Sequence, residues 1–105
     1  MAVLESKFQA ELIEDLRALF PGCIILKNDA NYLQGFPDLL ILFENKWAAL
    51  EVKANAKSKH QPNQDYYVDR LERMSFATFV YPENREAVLV ELQSALQPRR
   101  KARVS

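Results

Sequence analysis

The chain has 105 residues, 49% hydrophobic and 27% charged, with a formal net charge of zero. That suffices for one compact domain, is too little for two, and is globular rather than disordered in composition. Zero net charge removes overall basicity as an argument for nucleic acid, while a single cysteine (Cys23) and a single histidine (His60) exclude an internal disulfide, a cysteine zinc cluster and a multi-histidine metal site.

The charge is unevenly spread. Residues 1–51 hold eight acids and four bases, and residues 52–105 hold ten bases and six acids. An acidic cluster facing a basic half suits a metal site beside a phosphate-binding surface, and it equally suits a solvated surface. The sequence has neither a secretory apolar region nor an apolar run of about 18 residues, so a cytoplasmic protein without a membrane partner is expected.

From the N-terminus, Leu4, Phe8, Leu12, Leu16, Leu19 and Phe20 recur at three- and four-residue steps. This predicts a helix over 4–20, stopped by Pro21-Gly22. Cys23 is expected as a small buried hydrophobe, leading into a short strand at Ile24–Lys27. Asn28 to Gly35 is a polar loop of turn formers. Two nearly continuous apolar runs follow, at 38–43 and 47–53, joined by a turn at Glu44-Asn45-Lys46. They predict a hairpin in a sheet covered on both faces.

Residues 54–61 form a basic loop. Pro62 fits the first position of a helix running to Met74, with Tyr66, Tyr67, Leu71 and Met74 as its buried contacts. Thr78–Tyr81 predicts another strand, closed by Pro82. Asn84–Gln97 predicts a last helix burying Ala87, Val88, Leu92, Ala95 and Leu96. Pro98 ends it. The predicted fold is α/β in the order αβββαβα, a mixed central sheet flanked by helices. The strand at 78–81 joins beside 47–53 through a right-handed helical crossover. One domain is expected over 1–98, with a short basic C-terminal tail over 99–105.

Asp38, Glu51 and Lys53 stand in otherwise apolar strands, where unpaired charge is costly. Side chains alternate along a strand, so Glu51 and Lys53 share one face and Val52 takes the other. With the hairpin pivoting near Asn45, antiparallel register puts Leu39 opposite Glu51 and Asp38 one step along, near the Glu51–Lys53 pair. Pro37 fixes the backbone just before Asp38, which enters at the sheet margin where a site opens to solvent. Two convergent carboxylates repel each other. A Mg²⁺ between them reverses that logic, with water and substrate phosphate completing its shell. Lys53 then holds the attacking water or stabilises charge growing on phosphorus. These parts amount to metal-assisted phosphodiester hydrolysis. The structural alternative is an Asp38 that starts a strand and a Glu51–Lys53 pair at a sheet edge.

Gly35-Phe36-Pro37-Asp38, followed after twelve residues by Glu51-Val52-Lys53, resembles the core motif of the PD-(D/E)XK nuclease superfamily. More narrowly, the chain is similar to the small stand-alone VRR-NUC type nucleases found in phages. Those carry a G-x-PD hairpin, an E-x-K strand and a Gln near the start of the next helix, where Gln64 stands and Gln61 is the alternative holder. The resemblance runs from Glu5 to Leu96. It implies a restriction-endonuclease-like core in which Asp38, Glu51 and the main-chain carbonyl of Val52 bind Mg²⁺ or Mn²⁺. Lys53 is then catalytic and Gln64 assists.

The same resemblance implies DNA as partner. Relatives of this size suggest a homodimer cutting Holliday junctions or other branched DNA, and a free-standing homing or restriction-like duplex endonuclease is the alternative. A chain of 105 residues leaves no room for a separate DNA-reading domain, which favours shape recognition or a dimer on symmetric half-sites.

Many members also draw an acid from the first helix. At about 100° per residue, Phe8, Leu12, Leu16 and Leu19 cluster around the direction of Glu5, Glu11 lies well to the side, and Glu14 points opposite. Glu5 is therefore the acid aimed at the sheet and a further candidate metal ligand. Its structural alternative is an N-terminal Glu favoured by the helix dipole. For Gln64 the alternative is a first-turn residue satisfying helix amides.

Lys57, Lys59 and His60, on the loop leaving the catalytic strand, are candidate DNA contacts. Lys27, Asn28 and Asn31 in the opposite loop would flank the same cleft. Tyr66-Tyr67 is expected as core plus rim, and Trp47 as partly exposed at the hairpin turn. The tail Arg99–Arg103 would add salt-sensitive affinity. From another class, the chain would be a non-catalytic DNA-binding module with a nuclease fold, or a purely structural α/β protein. The first predicts no divalent-metal site lost in Asp38→Ala, and the second predicts neither metal nor DNA binding.

Overall fold

A computed structural model of the protein describes residues 2–97, with side chains from Glu5 onward. Pro98 and the expected basic tail at 99–105 lie outside the described residues. The elements are α1 (Ala2–Leu19), β1 (Ile24–Lys27), β2 (Leu39–Phe43), β3 (Lys46–Val52), α2 (Pro62–Met74), β4 (Phe76–Val80) and α3 (Arg85–Leu96). A 3₁₀ turn at Pro82–Asn84 leads into α3. The α/β class and the αβββαβα order are those expected from the sequence.

The strands lie in the order β1-β2-β3-β4. β1–β2 and β2–β3 pair antiparallel, while β3 and β4 are parallel, joined by the α2 crossover that parallel strands require. Side-chain alternation divides the sheet into two faces. Leu39, Ile41, Ala48, Leu50, Val52 and Val80 meet α1 and α3, packing on Phe8, Leu12, Leu16, Val88, Leu92 and Leu96. Leu40, Trp47, Ala49, Ala77 and Phe79 meet α2 at Val68 and Leu71. Covering both faces is why β2 and β3 read as unbroken apolar runs.

The hairpin is tighter than expected. Its turn is the pair Glu44-Asn45, Lys46 already belongs to β3, and Leu39 stands opposite Leu50 rather than Glu51. Parity explains the one-residue correction: paired residues share a face, and Leu39 belongs to the α1/α3 side whereas odd-numbered β3 residues face α2. Carried one step further, the observed register aligns Asp38 with Glu51 on the α2 side. Glu44 adopts φ 58, the left-handed conformation that lets the chain reverse within two residues.

Three other expectations are corrected. In α2, Tyr66 and Met74 are exposed, and Val68 joins Leu71 as the buried pair. The sheet-facing stripe runs through Gln64, Tyr67, Val68 and Leu71, and the other two lie off it. In α3, Leu89 is buried and Ala87 exposed, the stripe being Val88, Leu89, Leu92 and Leu96. β4 starts at Phe76, two residues early, because Ser75 ends α2 and its hydroxyl donates to the Trp47 carbonyl at 2.6 Å. Trp47 itself is half-buried, and Cys23 is half-buried against the core. Among the described residues, no helix is long and apolar enough to cross a membrane.

Candidate active site

β3 runs between β2 and β4, so its end delivers Glu51-Val52-Lys53 to the middle of the sheet margin. Glu51 and Lys53 are only 3% and 7% exposed. Asp38, half-buried just before β2, closes the open end of the hairpin: its Oδ2 accepts the Val52 amide at 2.8 Å. On the other side the Lys53 amide donates to the Val80 carbonyl at 2.9 Å. The intervening peptide is trans, so the Val52 carbonyl turns away from β4 and toward the Asp38 side. That orientation suits the role the resemblance gives it.

Gln64, in the first turn of α2, ties the charged groups together. Its Oε1 accepts from Lys53 Nζ at 2.7 Å and from the Gln61 amide at 3.0 Å, and its Nε2 donates to Glu51 Oε2 at 2.8 Å. Gln64 therefore satisfies the Gln61 amide at the helix start and also bonds to both Glu51 and Lys53. Gln61 holds the N-cap position instead. Lys53 Nζ also donates to the Lys59 carbonyl at 3.1 Å and lies 3.8 Å from Glu51 Oε2.

The remaining oxygen of Glu51, Oε1, is buried and has no hydrogen-bond partner among the described residues. Burial pushes the Glu51 carboxyl up to about 8; the Asp38 charge adds to this, Lys53 opposes it, and Glu5 contributes a smaller push. Asp38 is also raised by burial, against the Val52 amide and Lys53. A buried carboxylate oxygen left unpartnered among the described residues, beside a second carboxylate and the Val52 carbonyl, is a donor set for a hard dication, and these residues fit one. Among the described residues, no three His, Cys, Asp or Glu side chains group closely enough to hold an ion alone. Mg²⁺ commonly takes only one or two carboxylates, so the pair is sufficient.

Glu5 stands apart from the pair. It is half-buried in the first turn of α1, on the helix covering the opposite face of the sheet, and reaches the site through its charge. Glu11 and Glu14 are exposed, and Glu14 pairs with Arg17.

The candidate DNA contacts divide between two loops. The His60 ring stacks on Phe79, centroids 3.9 Å apart, and Phe79 is the β4 partner of Glu51. Lys57 and Lys59 are exposed on the same loop, which is braced where the Ala56 amide donates to Glu83 and the Lys57 amide to Asn55. Opposite, Lys27 pairs with Leu39, and the Asn28 amide donates to the Asp38 carbonyl at 2.8 Å. Asn31 lies further out, its amide bonded to Asp29 Oδ1. Asp38, Glu51, Lys53 and Gln64 are thus brought together, with the two loops attached to either side.

Asp65 and the Lys59 carbonyl escaped the sequence reading. Asp65 Oδ1 lies 3.0 Å from His60 Nδ1 and orients that ring. A five-residue spacing from loop to helix belongs to neither helical nor strand periodicity, and a backbone carbonyl leaves no trace in residue type. No family model, curated protein or solved structure matches the chain.

Proposed function

We propose that this protein is a Mg²⁺- or Mn²⁺-dependent DNA endonuclease of the PD-(D/E)XK, VRR-NUC type, hydrolysing phosphodiester bonds in the cytoplasm. The reading rests above all on Glu51 Oε1, a buried carboxylate oxygen without a partner among the described residues, beside Asp38 and a buried ammonium. Such a group is costly unless something cationic meets it.

Asp38, Glu51 and the Val52 carbonyl would hold the ion, with Glu5 contributing through its charge. The ion supplies Lewis-acid stabilisation of phosphate charge and acidifies its water. Lys53, stripped of bulk water and held by Gln64 and Lys59, is a fixed positive charge for the attacking oxygen or the phosphorane. Gln64 keeps Glu51 Oε2 occupied, so that Oε1 is the atom left for the ion. Lys57, Lys59, His60, Lys27, Asn28 and Asn31 flank the site and serve the DNA backbone.

The substrate we favour is branched DNA, such as a Holliday junction, cut by a homodimer whose two sites face two strands; sequence-specific duplex cleavage is the competing nuclease reading. Asp38→Ala, Glu51→Ala and Lys53→Ala should each abolish Mg²⁺-dependent cleavage with circular dichroism unchanged. Parental cutting by all three would end the proposal. A four-way junction tested against its linear arms separates the two substrates. For a non-catalytic DNA-binding module, calorimetry would find no Mg²⁺ site that disappears in Asp38→Ala.

A further inference from the structure

A cleft of about 330 Å³ opens between the loop at 29–36 and the start of α2. Its polar lining residues are Gln34, Gln61, Asn63 and Gln64, beside Ala30, Gly35 and Pro62. Gln64 is shared with the candidate active site, so the two spaces adjoin. The walls are held close at Gly35, where φ is +88 and an added Cβ would run into Asn63 Cβ and stand 2.9 Å from its carbonyl carbon.

None of these lining side chains is charged. Carboxamides present a donor and an acceptor side by side, the complement of a nucleobase edge. The volume lies in the range of small-molecule sites, about 300–1,000 Å³. In the loop that contributes Gln34, Tyr32 is 86% exposed. Its loop is braced where the Tyr32 amide donates to the Asp29 carbonyl at 2.9 Å and the Asn31 amide to Asp29 Oδ1 at 2.9 Å. An exposed aromatic ring on a braced loop is a platform for base stacking.

We infer that this cleft binds one unpaired nucleobase next to the scissile phosphate, its edge met by Gln34 and Asn63 and its face by Tyr32. A base stacked inside a duplex cannot enter a side pocket, so the cleft selects nucleotides already unpaired or readily extruded. This deepens the nuclease reading and rests on it. It also offers a physical basis for preferring distorted DNA.

The test measures binding of the full chain by fluorescence anisotropy, with Ca²⁺ replacing Mg²⁺. Three duplexes of one sequence are compared: fully paired, bearing a one-nucleotide bulge, and bearing the same bulge as an abasic residue. The base-bearing bulge should bind about tenfold tighter than the abasic one, the scale of a single base stack. Gln34→Ala with Asn63→Ala, and separately Tyr32→Ala, should bring those two affinities together. All three positions are exposed, and melting curves confirm the fold of the variants. Equal affinity for the base-bearing and abasic bulges, or a preference surviving both variants, overturns the inference. If that happens while Mg²⁺-dependent cutting persists and is lost in Asp38→Ala, the nuclease reading stands without the pocket. Neither binding nor cutting of any DNA would overturn both.

Discussion

Gln64 Nε2 donates to Glu51 Oε2 at 2.8 Å, from the first turn of α2 to the end of β3. The direction of that bond is determined by the other end of the carboxamide. Its oxygen accepts from Lys53 Nζ and from the Gln61 amide, so only the nitrogen can face Glu51. One neutral side chain thereby orders a helix terminus, an ammonium and a carboxylate.

Gln64→Ala should lower kcat by about 10–100-fold, the usual effect of removing a group that orients metal ligands, while KM moves little. Gln64→Glu should be worse, since it sets a third carboxyl against Glu51. Steady-state cleavage with a calorimetric Mg²⁺ titration checks both variants. Parental kcat in Gln64→Ala would remove the residue from the site's machinery.

Glu51 gives the metal-free protein a pH signature. Its ordinary value is 4.5 and burial first of all lifts it to about 8 in the fold. Between those values the folded chain holds a proton that the unfolded chain has released, so stability falls as pH rises through the window. Urea midpoints in EDTA should drop from pH 4.5 to about pH 8 and level off above it. Glu51→Gln should flatten the slope, and Mg²⁺ should stabilise the parent more at pH 8 than at pH 5.

Lys53→Met should remove activity and also cost stability. Lys53 Nζ satisfies Gln64 Oε1 and the Lys59 carbonyl, and a buried acceptor left without its donor costs about 1–3 kcal/mol. Combining Lys53→Met with Glu51→Gln should regain stability without activity. Lys53→Arg should not rescue cleavage, because a planar fork does not replace a compact ammonium. Chemical denaturation and a cleavage assay separate the two effects.

Two glycines with similar backbones predict different outcomes. Gly22 and Gly35 have φ +90 and +88, but a Cβ on Gly22 meets nothing within 4 Å whereas one on Gly35 meets Asn63. Gly22→Ala should cost only the conformational penalty, about 1 kcal/mol, and leave cleavage intact. Gly35→Ala should cost more and reduce cleavage, because Asn63 and with it Gln64 must shift. Thermal melts and turnover of the pair test this difference.

Much of this arrangement was legible in the residues. Apolar spacing located α1, β1, β2, β3 and α2 within a few positions, because each buries a face with its own period. Parity alone placed Glu51 and Lys53 on one side of β3. The register differs by one residue from that expected because the turn takes two residues, with Glu44 in the left-handed conformation, which its residue type does not signal. Apolar character suggests Met74 and Tyr66 for the core, but α2 presents Gln64 and Val68 to the sheet. What no pattern could supply was the Lys59 carbonyl and the Asp65–His60 contact, both products of how one loop folds back on β3.

The tip of the hairpin, though exposed and far from the buried charges, governs their placement by counting. Five paired rungs separate Glu44-Asn45 from the carboxylates. One residue inserted there would invert β3, sending Glu51 and Lys53 into the packing beneath α1 and α3 and offering Val52 to α2. Two would restore the face but slide Glu51 past Asp38. Surface tips ordinarily accept changes of length, yet at this one length is the quantity the molecule must keep, whichever residues provide it.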